Sequence, residues 1–391
     1  MSPTVVVIGC GAIGACTALE LARRGVSVTI VDRGPEPAWG CSAGNAGLIT
    51  PGHSLPLASP ENLRQGLLWL PRRDSPLRLA PRLELVPWLA RYVAASTASR
   101  AERGGRVLAE LAAKSLELHA GLAANGLDTG FRRSGCLYVY ESQGAFERSS
   151  MPGKLLGADE ARELEPGLRG EIAGAFYEPN EAICEPRRFV FAVVRAAKEA
   201  GAKMQLRTDV RRVSDLRADR VVVAAGAWTG RLVPVPVVAG KGYHVDLASA
   251  PGDPRMPVFA QEARVIATPF SDRLRLAGTL ELCGLESRFG PSRVEAVRRA
   301  GERLLGPLPR DRDLEVWAGL RPCTPDGLPV LGPVAGAENV VVASGHATLG
   351  LTLAPITGRL VAEFVTGQRP SIDLAPLSPD RFRMRRSRAR A

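Results

Sequence analysis

The chain has no run of about 18 or more apolar residues, so no membrane-spanning helix is expected. It has no Cys-x-x-Cys pair either. Its seven cysteines are scattered over positions 10, 16, 41, 136, 184, 283 and 323, and with only four histidines they build no zinc set, so no metal is expected. An odd, dispersed cysteine count fits reduced thiols in a cytoplasm rather than a disulfide framework. The 41 glycines and 31 prolines follow no Gly-X-Y period, which sets aside collagen, disorder and coiled coil. No basic residue precedes the first apolar run at Val5, which reads as a buried strand and not as a signal peptide. Acidic residues are absent from the last eleven positions, where Arg381, Arg383, Arg385, Arg386, Arg388 and Arg390 crowd together. These six leave only +5 of the net +11 on residues 1–380. The tail therefore reads as solvated and disordered, and with no interleaving of aromatic and basic residues a nucleic-acid partner is not expected.

What is present is apolar material, 45% of 391 residues, enough for a large core and two to three domains. Residues 5–8 form a short β-branched run of the kind buried on both faces of a sheet. Gly9-Cys10-Gly11-Ala12-Ile13-Gly14 follows, then a helical stripe of Ala15, Ala18, Leu19 and Ala22, a stop at Gly25, and a second strand ending at Asp32. This is a complete β-α-β unit in about 30 residues. The pattern is helical from Glu61 to about Gly126, with breaks near 71–81 and at Gly104-Gly105. Strands are expected over 131–140, 204–210, 221–226 and 340–343, with short strands across 236–316. Helices are expected over 158–165, 186–199, 292–305 and 351–366. The Trp69 to Trp88 stretch, together with Leu67, Leu68, Leu70 and Leu85, is read as core-packing, with contact to a membrane or partner as the second reading.

The glycine spacing carries chemistry. Gly9 permits a tight turn, Gly11 lets a pyrophosphate approach the backbone, and Gly14 lets the helix pack on the strand. The helix N-terminus offers free N–H groups and the positive end of a dipole. Asp32 is placed to bond ribose hydroxyls, and the small-residue stretch 41–53 lets backbone run close against a large flat ligand.

With these motifs the sequence resembles the D-amino-acid oxidase-like FAD-dependent oxidoreductases, and more closely the bacterial D-amino-acid dehydrogenases (small subunit) with their glycine-oxidase and hydroxyproline-dehydrogenase relatives. The resemblance spans nearly the whole chain. It is carried by residues 9–14, Asp32, 42–47 with Pro51-Gly52, Asp74-Ser75-Pro76-Leu77, Pro81-Arg82-Leu83, 222–228, Lys241-Gly242-Tyr243, 319–327 and 345–352. It implies an α/β protein with a Rossmann-like FAD-binding domain from residues 1–59, 155–235 and 316–380. An α+β substrate-binding domain with a mixed or antiparallel sheet would come from 60–154 and 236–315, and 381–391 would be the tail. It implies FAD held by Gly9, Gly11, Ile13, Gly14, Asp32 and Arg33, with Ser42, Asn45, Ala46, Gly47 and Leu48 beside the flavin and its ribityl chain. Val210 would lie at the adenine, Ala225, Gly226 and Trp228 near the phosphates, and Gly345, His346, Gly350, Leu351 and Thr352 along the pyrimidine edge. The family's covalent attachment needs a cysteine where this chain has Gly319, so the FAD is expected to be non-covalent.

The resemblance also implies the chemistry: oxidative deamination of a D-amino acid or related secondary amino acid, with hydride passing from Cα to flavin N5 and the imine hydrolysing to a 2-oxo acid. The family's carboxylate clamp falls on Arg321, whose planar guanidinium suits a carboxylate. Tyr243 and His53 are the further catalytic candidates; His119, on a helical stripe, is read as structural. The alternatives are oxidation of glycine or an N-substituted glycine in a biosynthetic pathway, and an RNA-modifying flavoprotein. The acceptor is left between O2 and a quinone or other electron carrier. A cytoplasmic location, with peripheral contact on the inner face of the membrane as the variant, is the expectation; oligomeric state is not read.

Overall fold

The computed structural model describes residues 3–52, 54–70, 75–149, 151, 153–285 and 289–383. Two sheets organise them. The first has six strands in the order Lys203–Gln205, Ser27–Val31, Thr4–Ile8, Arg220–Val223, Ala337–Ser344, Val330–Val334. The first five are parallel and the last is antiparallel. Their valines and isoleucines are buried on both faces, as a doubly wound sheet requires. The helices Ala12–Arg23, Pro186–Glu199 and Gly350–Val365 supply the apolar residues of one face. Ala12–Arg23 and Gly350–Val365 cross so closely that a side chain on Gly358 would meet the Cys16 backbone at 2.5 Å. Ala347–Val365 is long and apolar enough to span a membrane, but it is mostly buried as this core helix.

The second sheet has nine strands. Asp313–Cys323, Val238–Ala248, Arg273–Cys283, Val265–Pro269, Val258–Ala260, Cys136–Tyr140, Gly174–Glu178 and Lys154–Gly157 follow one another, and Leu77–Leu79 pairs in parallel along residues 280–282. The helix Pro291–Leu305 packs its Val294, Val297, Ala300 and Leu304 onto one face with Tyr243, Val245 and Leu247.

Most elements fall where the sequence pattern puts them, and the differences have causes. The strands of 236–316 are only partly short: Val258–Ala260 and Val265–Pro269 are, but Val238–Ala248 and Arg273–Cys283 run eleven residues each. Gly104-Gly105 does not interrupt its helix, which runs unbroken over Ala98–Ala124. Its buried Leu108, Leu111, Leu116 and Leu122 outweigh a glycine cost of about 1 kcal/mol each. The strand expected over 204–210 ends at Gln205, because Thr208 turns back to bond the Asp32 carbonyl. The segment boundary at 155 is not a sheet boundary, since Lys154–Gly157 and Gly174–Glu178 belong to the larger sheet, as does all of Asp313–Cys323. Leu67, Leu68 and Leu70 are exposed rather than core, while Leu85 and Trp88 are buried. The tail reading of 381–391 also needs correction at its start. Arg381 pairs with both Asp326 oxygens and donates to the Leu377 and Leu328 carbonyls; residues 384–391 lie outside the described residues.

Candidate active site

A cavity of about 1990 Å³ lies between the two sheets, its floor the C-terminal edge of the six-stranded sheet. That edge is where open α/β sheets bind ligands. Gly9 adopts φ 107°, and a side chain there would meet the Ala224 carbonyl oxygen at 2.4 Å. A side chain on Gly14 would meet the Gly9 oxygen at 1.9 Å, so only glycine lets the helix start this close to the strand. The Ser42 hydroxyl accepts from the Ala12 N–H at 3.0 Å, bringing the 41–48 loop onto the helix N-terminus. The Asp32 carboxylate accepts from the N–H groups of Cys10 and Gly34, both at 2.6 Å, which fixes it at the cavity wall with lone pairs to spare.

The loop is clamped from the larger sheet. Arg275 donates to the carbonyls of Ala43 (2.9 Å) and Asn45 (2.8 Å), and His244 Nδ1 lies 3.2 Å from the Gly44 oxygen. Arg275 is in turn held by a bidentate pair with buried Asp246, which also pairs with Arg273. His244, Asp246 and Glu315 bring three potential metal donors together, but both Asp246 oxygens are engaged by arginine. Burial pushes the His244 pKa down.

At the opposite wall the helix Gly350–Val365 begins with its N-terminus at the cavity, and the Thr352 hydroxyl ties it to the Leu48 carbonyl. Such an end stabilises negative charge. His346 lines the cavity, bonds Thr357 through Nε2 at 3.0 Å, and is kept neutral by burial, which pulls its pKa down to about 3. His119 is structural: buried, it bonds the Leu351 carbonyl at 3.0 Å.

Arg321 enters from the strand Asp313–Cys323 and lies over Gly242, where any side chain would collide with its guanidinium at 2.2 Å. Its Nη1 donates to the Thr279 carbonyl at 2.8 Å. No carboxylate pairs with it among the described residues; the groups it feels are the thiols of Cys323 and Cys41, and burial lowers its pKa. Thr279 is presented by a β-bulge opposite Lys241–Tyr243, with φ 61°, an outlier for a β-branched residue. Its buried hydroxyl has no hydrogen-bond partner.

Of the residues expected at the cofactor, Gly9, Gly11, Ile13, Asp32, Arg33, Ser42, Asn45, Ala46, Leu48, Val210, Ala225, Gly226, Trp228, His346, Gly350, Leu351 and Thr352 line the cavity. Gly14, Gly47 and Gly345 stand behind it and shape the turns. Arg33 stacks on the Trp228 ring at 3.6 Å. Tyr243 is not in the cavity. Alternation along Val238–Ala248 turns it to the far face, where it packs under Pro291–Leu305 and its hydroxyl donates to Glu281 at 3.2 Å. His53 lies outside the described residues. Thr279, Gln261, Arg264 and Cys41 also line the cavity and were not legible as site residues. Only the Gly278-Thr279 pair inside a strand pattern hinted at a bulge.

The glycine turn, Asp32 and the cavity between the sheets define a doubly wound dinucleotide-binding fold. The family model described as FAD dependent oxidoreductase matches residues 4–364, and the chain belongs to that family. It is 32% identical to a D-amino-acid oxidase of Bradyrhizobium diazoefficiens, over 97% of this chain and 98% of that protein. It is 34% identical to D-amino acid dehydrogenase 2 of Ralstonia nicotianae, over 95% and 98% respectively. Among solved structures, glycine oxidase from Geobacillus kaustophilus superposes with a TM-score of 0.75 at 26% identity, covering 98% of this chain and all of that one. The cofactor is therefore FAD, and the cradle of Gly9, Gly11, Ser42 and Asp32 fits its pyrophosphate and ribose.

Proposed function

We propose that the protein oxidises the amine of a small α-amino acid, a D-amino acid or a related secondary amino acid, to the imine of a 2-oxo acid. The observation that carries this is Arg321: a desolvated guanidinium in the cavity wall with no carboxylate of its own. Arg321 binds the substrate carboxylate, and its Nη1 bond to the Thr279 carbonyl fixes the plane of that fork. The same positive charge disfavours an ammonium beside it, so the bound amine is held neutral, as its oxidation requires. FAD, when bound, supplies the two-electron acceptor. No side chain need act as a base on carbon; the protein positions and excludes water.

For the second half-reaction, Leu55, Leu67, Leu70 and Val93 line the cavity while staying exposed, at 62%, 61%, 46% and 54%. This apolar rim favours a quinone or an apolar electron carrier over O2, and a membrane face as its source. A panel of D-amino acids, D-proline types, glycine and N-alkyl glycines, mixed anaerobically with the enzyme while flavin bleaching is followed, tests the reading. D-amino acids bleach the flavin, and Arg321→Lys lowers kcat/KM by about 2–4 kcal/mol in transition-state terms. Wild-type reduction by that variant would place the substrate elsewhere.

A further inference from the structure

Among the described residues, Arg321 is not the cavity's only guanidinium without a carboxylate in contact with it. Arg264 lines the same cavity, is only partly exposed, and makes no hydrogen bond or ion pair with any described residue. The acidic groups within its electrostatic reach are committed elsewhere. Glu262 accepts from the N–H groups of Glu141 and Ser142 and from the Ser142 hydroxyl, and Glu61 pairs with Arg64 at 3.7 Å. The Tyr140 hydroxyl shares its bond with Ser149. The other arginines that line the cavity, Arg33, Arg64, Arg148, Arg211 and Arg231, are either exposed or already paired.

The backbone delivers Arg264 to this place under strain, at φ 52°. Strain of this kind persists where the surrounding structure over-determines a position. A second donor is stranded nearby: Gln261, three residues before Arg264, is buried, lines the cavity, and its Nε2 has no partner.

The register brings both arginines to the same stretch of one strand. Arg321 reaches across Gly242 to the Thr279 carbonyl on Arg273–Cys283. On the next strand, Val265 pairs with Gly278, and the Arg264 carbonyl lies against Gly278. The carbonyl that Arg321 bonds, Thr279, and the residue against which the Arg264 carbonyl lies, Gly278, are thus neighbours on one strand.

We propose that the preferred substrate carries a second anionic group, as an amino dicarboxylate does, with its α-carboxylate on Arg321 and the second carboxylate on Arg264 and the Gln261 amide. This rests on the reading of Arg321 given above. A cavity with one guanidinium open to a carboxylate selects amino acids in general; a second in the same cavity adds a place for a second anion. A neutral side chain would leave Arg264 and Gln261 Nε2 desolvated and unmatched, the situation that gives polar sites their strongest discrimination.

The test compares acid with matching amide in the holoenzyme: D-glutamate against D-glutamine, and D-aspartate against D-asparagine, by anaerobic flavin reduction. The wild type is expected to prefer one acid over its amide at least tenfold in kcat/KM. Arg264→Gln brings that ratio close to unity, and Arg264→Lys retains part of it. FAD content and melting temperature are checked in each variant. Equal rates for acid and amide in the wild type, or a preference that survives Arg264→Gln, would overturn the proposal. A binding arm separates this from the reaction itself: glutarate should perturb the flavin spectrum at a concentration at least tenfold below butyrate, and Arg264→Gln should abolish the difference. If no amino acid bleaches the flavin but glutarate still binds preferentially through Arg264, the amine-oxidation reading fails and the dianion site stands. If the two acids bind alike, the dianion site fails.

Discussion

Replacing Gly242 by alanine would test the clamp without touching it. The new Cβ would stand 2.2 Å from Cζ, Nη1 and Nη2 of Arg321. Carbon contacts relax at about 3.5 Å, so the guanidinium must withdraw by roughly 1.3 Å. It is the far end of a flexible side chain, so the fold yields cheaply while the fork moves. Its 2.8 Å bond to the Thr279 carbonyl would stretch past hydrogen-bonding length. A hydrogen bond to a charged group is worth about 1.5–3 kcal/mol, and a misplacement on the order of 1 Å costs up to about a hundredfold in rate. The expected loss in kcat/KM for the best D-amino acid is therefore roughly 10- to 100-fold, with the melting temperature and FAD content close to wild type. Stopped-flow flavin reduction over a range of substrate concentrations reads the effect. A variant with wild-type KM and reduction rate would show that Arg321 does not hold the substrate. A collapse in stability would show that the glycine serves packing instead.

Other outcomes follow from buried charge and the chain's anchors. Glu181 is fully buried, and burial pushes its carboxyl up to about 8, with the Tyr138 hydroxyl donating to it at 2.6 Å. Its folded pKa lies above the unfolded value of 4.5, so its contribution is fully present below that value and is lost as pH rises through about 8. Melting temperature measured from pH 5 to 9 should fall less steeply in Glu181→Gln; parallel curves would sink this. Arg275→Lys keeps a charge beside Asp246 but cannot hold both loop carbonyls, so FAD affinity should drop about tenfold by titration of apoprotein. Unchanged affinity would mean the loop holds itself. Arg381→Ala should cost about 1–3 kcal/mol in denaturant unfolding, and an unchanged unfolding midpoint would deny the Asp326 anchor. With Gly319 at the attachment position, heat or acid should release the FAD, and colour left in the precipitate would contradict that.

The glycine fingerprint and Asp32 were legible because they form a local pattern with one chemical use, whereas Arg321, one arginine among many, was singled out only by the resemblance, and the structure brings it to the cavity wall. The helix over 186–199 was legible because Val190, Val193, Val194 and Ala197 repeat at helical spacing and are all buried. Tyr243 was misread for the opposite reason. Period-two alternation is plain in a strand, but which face meets the ligand depends on its neighbours, and Gly242 yields that face to Arg321. Thr279 and Arg264 owe their positions to positive φ in non-glycine residues, which tertiary contacts impose and no local pattern announces. The exposed Leu67 and Leu68 looked like core because leucine composition alone does not distinguish a buried stripe from a rim.

The interleaving of the chain has a consequence for how it is made. The N-terminal strand Thr4–Ile8 emerges first, yet its neighbour Arg220–Val223 follows some two hundred residues later, and the strand beyond that ends only at Ser344. The first helix waits longer still, since the surface around Cys16 is closed by Gly358. Until then its apolar face is covered only in part, by its own strands and later by Pro186–Glu199. Long-range closure of this kind slows folding and leaves sticky surface uncovered during synthesis. Truncations that stop short of the last helix should therefore aggregate, however complete their cofactor fingerprint, and the nascent chain should be a client of holdase chaperones through most of its translation.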